Sequence, residues 1–356
     1  MFGQTEDAPI EGGQCVVGGD DADLGGLDGH GSPFAGGADG ASPITVEIGC
    51  CADHILMLRY ETSRFNISQS ADPTHRGRGF MSSHPPMSTQ ESSAVAETME
   101  RLSPPEFADP SQERRHRQER LAASFRILAR LGLTTGITGH ITVRDPEHTD
   151  CFWVNPLAVP FSAMRVSDLL LVDEHGTVIE GDRMVNAAAF AIHSRIHRHN
   201  PGVNAACHSH SPWGRPWSAT GRLVEPTSQD ACAFFESQRL ARGFEGVVFD
   251  TEVGDTLGAA FAEHAGNAER INVVVHENHG HMTVGGTVDE AVFWFILFEQ
   301  MCQAQMRLES TGWPYSVLDT EMARHTNRQT GTPYAGWLGF QSYFTEITRE
   351  QPELLD

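Results

Sequence analysis

Val203-Asn204-Ala205-Ala206-Cys207-His208-Ser209-His210 is a short apolar run that opens into a polar turn, the pattern of a buried strand. If the strand continues through His210, residues two apart share a face, and both imidazoles of the His-x-His pair can reach one cation. A second such run, Ile271 to His276, is followed by Asn278-His279-Gly280, where Gly280 permits the sharp turn that aims a ring inward. His208, His210 and His279 are the expected metal ligands, and no Cys-x-x-Cys pair competes with them. Polar residues at strand ends are the plainer reading of the same spacing, and the rest of the chain has to decide between the two.

Outward from these runs the pattern alternates. Ser111 is the expected cap of a helix ending near Leu131, where Leu121, Phe125, Leu128 and Leu131 recur at helical spacing before Gly132. Strands are expected at Ile141–Arg144, Cys151–Asn155, Leu169–Val172 and Thr177–Glu180, then a helix from Ala187 to His199, broken at Asn200-Pro201. Beyond the His-x-His strand come a helix near Trp213–Thr220, a strand near Gly246–Phe249, a helix near Thr256–Glu263 and the strand before His279. Thr287 and Glu290 form a capping box for a long amphipathic helix reaching about Glu309. Residues 334–340 read as an aromatic, glycine-punctuated tail followed by a helix over Gln341–Thr348. Alternating strands and helices predict an α/β or α+β sheet core with helical cover. Residues 1–86, rich in Gly, Asp, Ser and Pro, are expected to be disordered or dispensable, with Met81 and Met87 as alternative starts, and 87–356 to form one domain.

Composition removes several chemistries. All 25 Lys+Arg residues are arginine, so lysine Schiff-base catalysis, lysine-anchored pyridoxal phosphate and a lysine-dependent phosphate loop are excluded. A net charge of -22 argues against a nucleic-acid partner. Seven unevenly spaced cysteines do not form a disulfide framework, which points to a reducing cytoplasm, and no apolar stretch is suited to a bilayer. Cys207 is expected on the sheet face opposite His208, as a small core residue. Trp213, Trp217, Phe234 and Phe235 are divided between core and a possible aromatic pocket.

Thr138-Gly139-His140-Ile141-Thr142-Val143-Arg144, Val154-Asn155-Pro156-Leu157-Ala158-Val159-Pro160, Ala191-Ile192-His193 before the His-x-His pair, and Asn278-His279-Gly280, in this order, resemble the class II aldolase/adducin family over about Glu113 to Glu309. The resemblance implies a three-layer α/β/α sandwich around a mainly antiparallel sheet, often assembled as a tetramer with sites between subunits. It also implies a divalent metal on His208, His210 and His279. Sugar-phosphate aldolases of that family carry Ser-Ser-Glu where this chain has Ala187-Ala188-Ala189, Thr-Gly where it has Leu157-Ala158, and Asn where it has His140. The metal-binding acid and the phosphate donors are absent, and a phosphate left without them would face a desolvation cost of several kcal/mol.

Asn155, Leu157, Ala158 and Ala187 to Ala189 then line a pocket suited to an aromatic ligand. A metal with three neutral ligands keeps open positions and its full charge, which suits chelation by a 2-oxo acid and, for iron, dioxygen. The chain is similar to the family's aminocoumarin-pathway branch of non-haem iron oxygenases, which implies Fe(II) and oxidative decarboxylation of a prenylated 4-hydroxyphenyl 2-oxo acid towards a hydroxybenzoate. The alternatives are a redox-neutral, zinc-type lyase, aldolase or decarboxylase on a non-phosphorylated substrate, and a non-catalytic adducin-like interaction module. The lyase needs another acid-base group, with Glu277, Asp230 and Tyr334 as candidates. His193 is read as orienting a ligand by hydrogen bonding, or as a packing histidine. Tyr334 and Trp337 are expected to close a pocket or to pack subunits.

Overall fold

Two sheets form. The computed structural model describes residues 46–51, 55–60, 102–244, 246, 251–262 and 270–356, and the chain divides into two units, Met1–His75 and Arg76–Asp356. In the first, β1 (Val46–Cys51) and β2 (Ile55–Tyr60) pair as an antiparallel hairpin. The expectation of disorder over 1–86 did not include this hairpin; its second strand is the apolar run Ile55-Leu56-Met57-Leu58, which favours extended pairing. The rest of that segment lies outside the described residues.

The second unit is built on an eight-stranded sheet of β3 (His140–Arg144), β4 (Phe152–Val154), β5 (Leu170–Val172), β6 (Val178–Glu180), β7 (Ala205–His208), β8 (Gln238–Ala241), β9 (Val273–His276) and β10 (Gly280–Gly285). Their spatial order is β6-β5-β4-β3-β7-β10-β9-β8, and every pairing is antiparallel except the parallel β8/β9 contact at one edge. The strand expected at Gly246–Phe249 lies almost wholly outside the described residues, and the edge strand β8 occurs earlier.

Strand alternation divides the side chains between two cores. Ile141, Val143, Ala205 and Cys207 face a layer that includes α1 (Pro110–Arg130), α5 (Val288–Ser310) and α7 (Pro333–Glu350). Ala206, Val274, Met282 and Val284 face Ala191, Ile192 and Ile196 of α2 (Ala187–His199) and Leu257 and Phe261 of α4 (Thr251–Ala262). Helices on both sides of a mainly antiparallel sheet give the α/β/α sandwich. Cys207 lies in the first core, as alternation requires.

The helix ends show which local signals operated. Asp109, not Ser111, caps α1: its carboxylate accepts from the Ser111 N–H at 2.9 Å, and Pro110 takes the first helical position, where its missing donor costs nothing. Gly132, at φ +70°, stops the helix. The Thr287 hydroxyl accepts from the Glu290 N–H at 3.1 Å at the start of α5, as the capping box predicts. The helix near residues 213–220 is the short α3 (Gly214–Ser218). Residues 334–340 are no loose tail: after α6 (Thr320–Thr330), Thr332 caps α7 and the whole aromatic stretch is helical.

Candidate metal centre

His208 ends β7, fully buried, on the face that α2 covers. In register with it across β3 is His140, and across β10 is Met282. The His208 Nδ1–H donates to the His281 carbonyl at 2.8 Å, because a carbonyl can only accept. Nε2 is therefore left as a bare lone pair pointing away from that bond, the tautomer that a metal ligand needs.

His279 brings its Nε2 to 3.1 Å from the Nε2 of His208. The turn that allows this has Asn278 at φ +59° and Gly280 at φ +149°, and a Cβ on Gly280 would sit 3.4 Å from His208 Cε1. Asparagine tolerates the left-handed region, and glycine alone adopts the second conformation easily. His210 completes the group from outside the strand: β7 ends at His208, so the shared-face argument for the pair does not hold. A loop delivers the His210 ring, with Thr135 Oγ1 donating to its backbone carbonyl at 2.9 Å. One ligand atom from each of the three rings lies within 4.8 Å of the others, and no carboxylate or thiol joins the group among the described residues. Convergent imidazole nitrogens, one with its lone pair preset, fit a first-row divalent cation.

The flanking histidines are otherwise engaged. His276 Nε2–H donates to the Gly243 carbonyl at 3.0 Å, and His281 stacks on Phe295 at 4.2 Å on the opposite side of the sheet from His208. Phe244, nearly half exposed, holds its ring 6.1 Å from that of His279 and gives the centre an apolar lip. Arg215 brings a guanidinium near His210, where burial first and this charge second lower the imidazole pKa. The spacing of histidines offered no signal for Phe244 or Arg215.

His140 and His193 form the inner wall, and Asn155 is tied to its start by donating to the Gly139 carbonyl at 3.5 Å. Neither ring nitrogen of His140 has a hydrogen-bond partner, nor has Nε2 of His193 or Oδ1 of Asn155, and all three residues are buried. The His140 ring lies 5.4 Å from that of His208 and 4.5 Å from that of His193. Burial, reinforced by His279 and His210 and opposed by the Gly139 backbone, pushes His140 down to about 3, and burial pushes His193 well below the ordinary imidazole value, so both are neutral. Sequence reasoning noted His140 only as a departure from a motif, although its place in register with His208 makes it central.

Of the expected pocket residues, Leu157 and Ala158 meet the approach to α2 through the Leu157 N–H to Met184 carbonyl bond at 2.7 Å and the Pro156–Val185 bridge. Ala187 opens α2 beside them; the side chains of Ala188 and Ala189 lie outside the described part. None of the three candidate acid-base residues belongs to the histidine group. The Glu277 carboxylate accepts from the Gly243 N–H at 3.1 Å and pairs with Arg242. Tyr334, on α7, donates to the Leu102 carbonyl at 2.9 Å and lies against Trp337. Trp337 lines a separate cleft with Arg117, Arg120, Val143 and Asp289, on the face served by α1 and α5. Asp230 precedes the short helical turn Ala231–Phe234, whose Phe234 packs with Trp217 and Trp294 in a third core.

Residues 119–306 match the class II aldolase and adducin N-terminal domain. The chain belongs to the class II aldolase and adducin family. Among its relatives, the decarboxylase NovR of Streptomyces niveus is 38% identical over 70% of this chain and 91% of its own. The 4-hydroxy-3-prenylphenylpyruvate oxygenase/4-hydroxy-3-prenylbenzoate synthase of Streptomyces roseochromogenus subsp. oscitans is 37% identical over 70% of this chain and 88% of its own. The solved L-fuculose 1-phosphate aldolase from Glaciozyma antarctica PI12 is 38% identical, superposes with a TM-score of 0.63, and covers 71% of this chain and 96% of its own. These relatives place the chain beside the family's aminocoumarin branch and in the class II aldolase fold. Among the described residues no helix is long and apolar enough to cross a membrane.

Proposed function

We propose that the chain is a non-haem Fe(II) oxygenase that removes the carboxyl group of an aromatic 2-oxo acid, of the 4-hydroxyphenyl class with or without a prenyl group, towards a hydroxybenzoate in antibiotic biosynthesis. The observation that carries this reading is the donor set: three imidazoles and, among the described residues, no carboxylate. A bound Fe(II) ion would supply Lewis acidity and the one-electron chemistry that dioxygen requires. The protein's own part is positioning. His208, with its proton committed to the His281 carbonyl, presents a lone pair without rearrangement. Arg215 supplies positive charge for a carboxylate, and the Phe244 ring forms an apolar lip beside His279. No side-chain base near the histidines is required, which suits a site whose nearest unassigned groups are neutral imidazoles.

The names of two relatives support the reaction class, since they pair decarboxylation with an oxygenase acting on a prenylphenylpyruvate. A redox-neutral, zinc-type aldolase or decarboxylase is the second reading, favoured by the 38% identity to a solved aldolase. It must find an acid-base group, and Glu277 and Tyr334 are both occupied elsewhere. A non-catalytic adducin-like module has no use for a preset histidine triad. Cytoplasmic residence and a homotetramer accompany the proposal as family expectations.

The test is anaerobic reconstitution of metal-free protein with Fe(II) or Zn(II), followed by oxygen-uptake recording with 4-hydroxyphenylpyruvate and its prenylated form. Uptake dependent on both iron and substrate is expected. Metal binding with no uptake from either acid would move the function to the redox-neutral reading.

A further inference from the structure

One lone pair in the inner wall has its orientation dictated by a chain of hydrogen bonds. His197, Thr142 and His193 are all buried. His197 Nδ1 lies 3.4 Å from the Val203 carbonyl, which only accepts, so Nδ1 carries the proton and Nε2 is bare. Thr142 Oγ1 lies 2.9 Å from that Nε2 and must spend its single proton there. Its oxygen then accepts from His193 Nδ1 at 2.8 Å. His193 Nε2 is consequently an acceptor, fully buried and unmatched. A buried acceptor without a donor costs roughly 1–3 kcal/mol, so the missing partner has to bring an O–H or N–H.

Beside it, His140 has one donor and one acceptor, both unmatched. A group that donates once to His193 and accepts once from His140 matches two of these three atoms, and a hydroxyl does both. A carboxylate cannot, because it has no proton for His193. The ring steps of 5.4 Å from His208 to His140 and 4.5 Å from His140 to His193 carry this pair inward from the triad. An aryl 2-oxo acid anchored at the triad by its acid end carries its para substituent a methylene and a benzene ring away, and the inner wall has to open to admit it, because the unmatched nitrogens have almost no accessible surface in the resting structure.

Resting on the reading given above, we propose that His193 and His140 form the subsite for the para-hydroxyl of the aryl 2-oxo acid: the phenol O–H donates to His193 Nε2 and its oxygen accepts from the His140 N–H. Thr142 and His197 are positioning residues that hold His193 in the accepting tautomer. The pair makes the site selective for 4-hydroxyphenyl over phenyl ligands, since an aryl group without the hydroxyl leaves both imidazoles unmatched.

The experiment is equilibrium binding to the Zn(II)-loaded full chain, where no turnover intervenes, of 4-hydroxyphenylpyruvate, phenylpyruvate and 4-fluorophenylpyruvate. The hydroxylated ligand is expected to bind about ten- to a hundredfold more tightly than either of the others. The difference should vanish in His193→Phe and narrow in Thr142→Val, with zinc content unchanged. Nitrogen-15 NMR of wild-type protein supplies a readout independent of any variant's folding: His193 Nε2 should resonate as an unprotonated nitrogen, and should shift with 4-hydroxyphenylpyruvate but not with the fluoro analogue. Equal affinities in wild-type protein, full discrimination in Thr142→Val, or a His193 resonance indifferent to the hydroxylated ligand, as an ordered water alone would give, overturns the assignment. Discrimination with zinc but no oxygen uptake with iron sustains the subsite and removes the oxygenase. Failure of all three acids to bind removes both.

Discussion

His140 opens β3 and Asp145, five residues on, directly follows its last residue, and both are buried. Asp145 accepts from Arg114 Nε at 2.7 Å and Nη2 at 2.9 Å, from Trp153 Nε1 at 2.7 Å, and from the N–H groups of Glu147 at 2.9 Å and His148 at 2.8 Å. His140 has no partner at either nitrogen. Native interiors rarely leave polar atoms unmatched, so a closed network marks structure and an open one marks a place where something else binds. His208 stands between the two conditions, closed at Nδ1 and open at Nε2.

The largest effect is expected where an open valence is removed from the triad. His208→Ala should lose stoichiometric metal and all turnover, a fall in metal affinity beyond the roughly 10–100-fold caused by losing a supporting partner alone. Metal analysis after dialysis checks this, with circular dichroism to show a folded chain. Full metal retention would mean that the open valences of the triad are not a metal site.

Next comes the closed end of β3. Asp145→Ala removes the buried acceptor of Arg114, which keeps Glu147 at 2.6 Å and Glu180 at 3.7 Å, and leaves the Trp153, Glu147 and His148 N–H groups without theirs. A loss of about 2–4 kcal/mol in urea unfolding is expected, from lost hydrogen bonds to a charged acceptor and an unsatisfied buried N–H, with metal content per folded chain unchanged. A loss below about 1 kcal/mol would erase the distinction between the two ends of the strand. The same residue gives an acid signature. Burial alone would raise its pKa, but the bonds from Arg114, the His148 N–H, Trp153 and the Glu147 N–H outweigh it and hold Asp145 below the ordinary value of 3.8. A depressed folded pKa means that this stabilisation is fully present above about pH 4 and disappears as pH falls through the lower folded value. Asp145→Asn should therefore flatten the acid limb of the stability curve below pH 4 and leave its neutral limb parallel to wild type.

The same contrast explains what could be read without coordinates. Strand alternation, the capping box and the ordered motifs are local, and they carried most of the sheet, α1, α2 and α5, and the meeting of His208 with His279, whereas His210 joins them from a loop. The second half of α7 was expected over Gln341–Thr348, and its first half was missed because Gly336 and Gly339 lower its helical propensity. Their reason is tertiary: a Cβ on Gly336 would come within 2.9 Å of the Trp294 ring, and one on Gly339 within 2.4 Å of Phe293, so α7 needs glycine to lie close on α5. The edge strand β8 was missed because Gln238 and Arg239 interrupt its apolar pattern, while its pairing to β9 comes from distant residues. The His197–Thr142–His193 relay was invisible for a similar reason. Its members are 51 and 55 residues apart, and only sheet pairing and the packing of α2 bring them together.

The smallest change in stability is expected at the most functional position. His140→Leu removes two unmatched polar atoms from the interior and leaves an apolar side chain of lesser size against His193 and His208. The desolvation relieved, roughly 1–3 kcal/mol for a buried unsatisfied group, acts against the small cavity created. A net change within about 1 kcal/mol, of either sign, should follow in urea unfolding, together with retained metal and weakened binding of 4-hydroxyphenylpyruvate. A destabilisation comparable to that of Asp145→Ala would show that His140 closes a network in the resting protein after all, and the inner wall would then be structure like the far end of its strand.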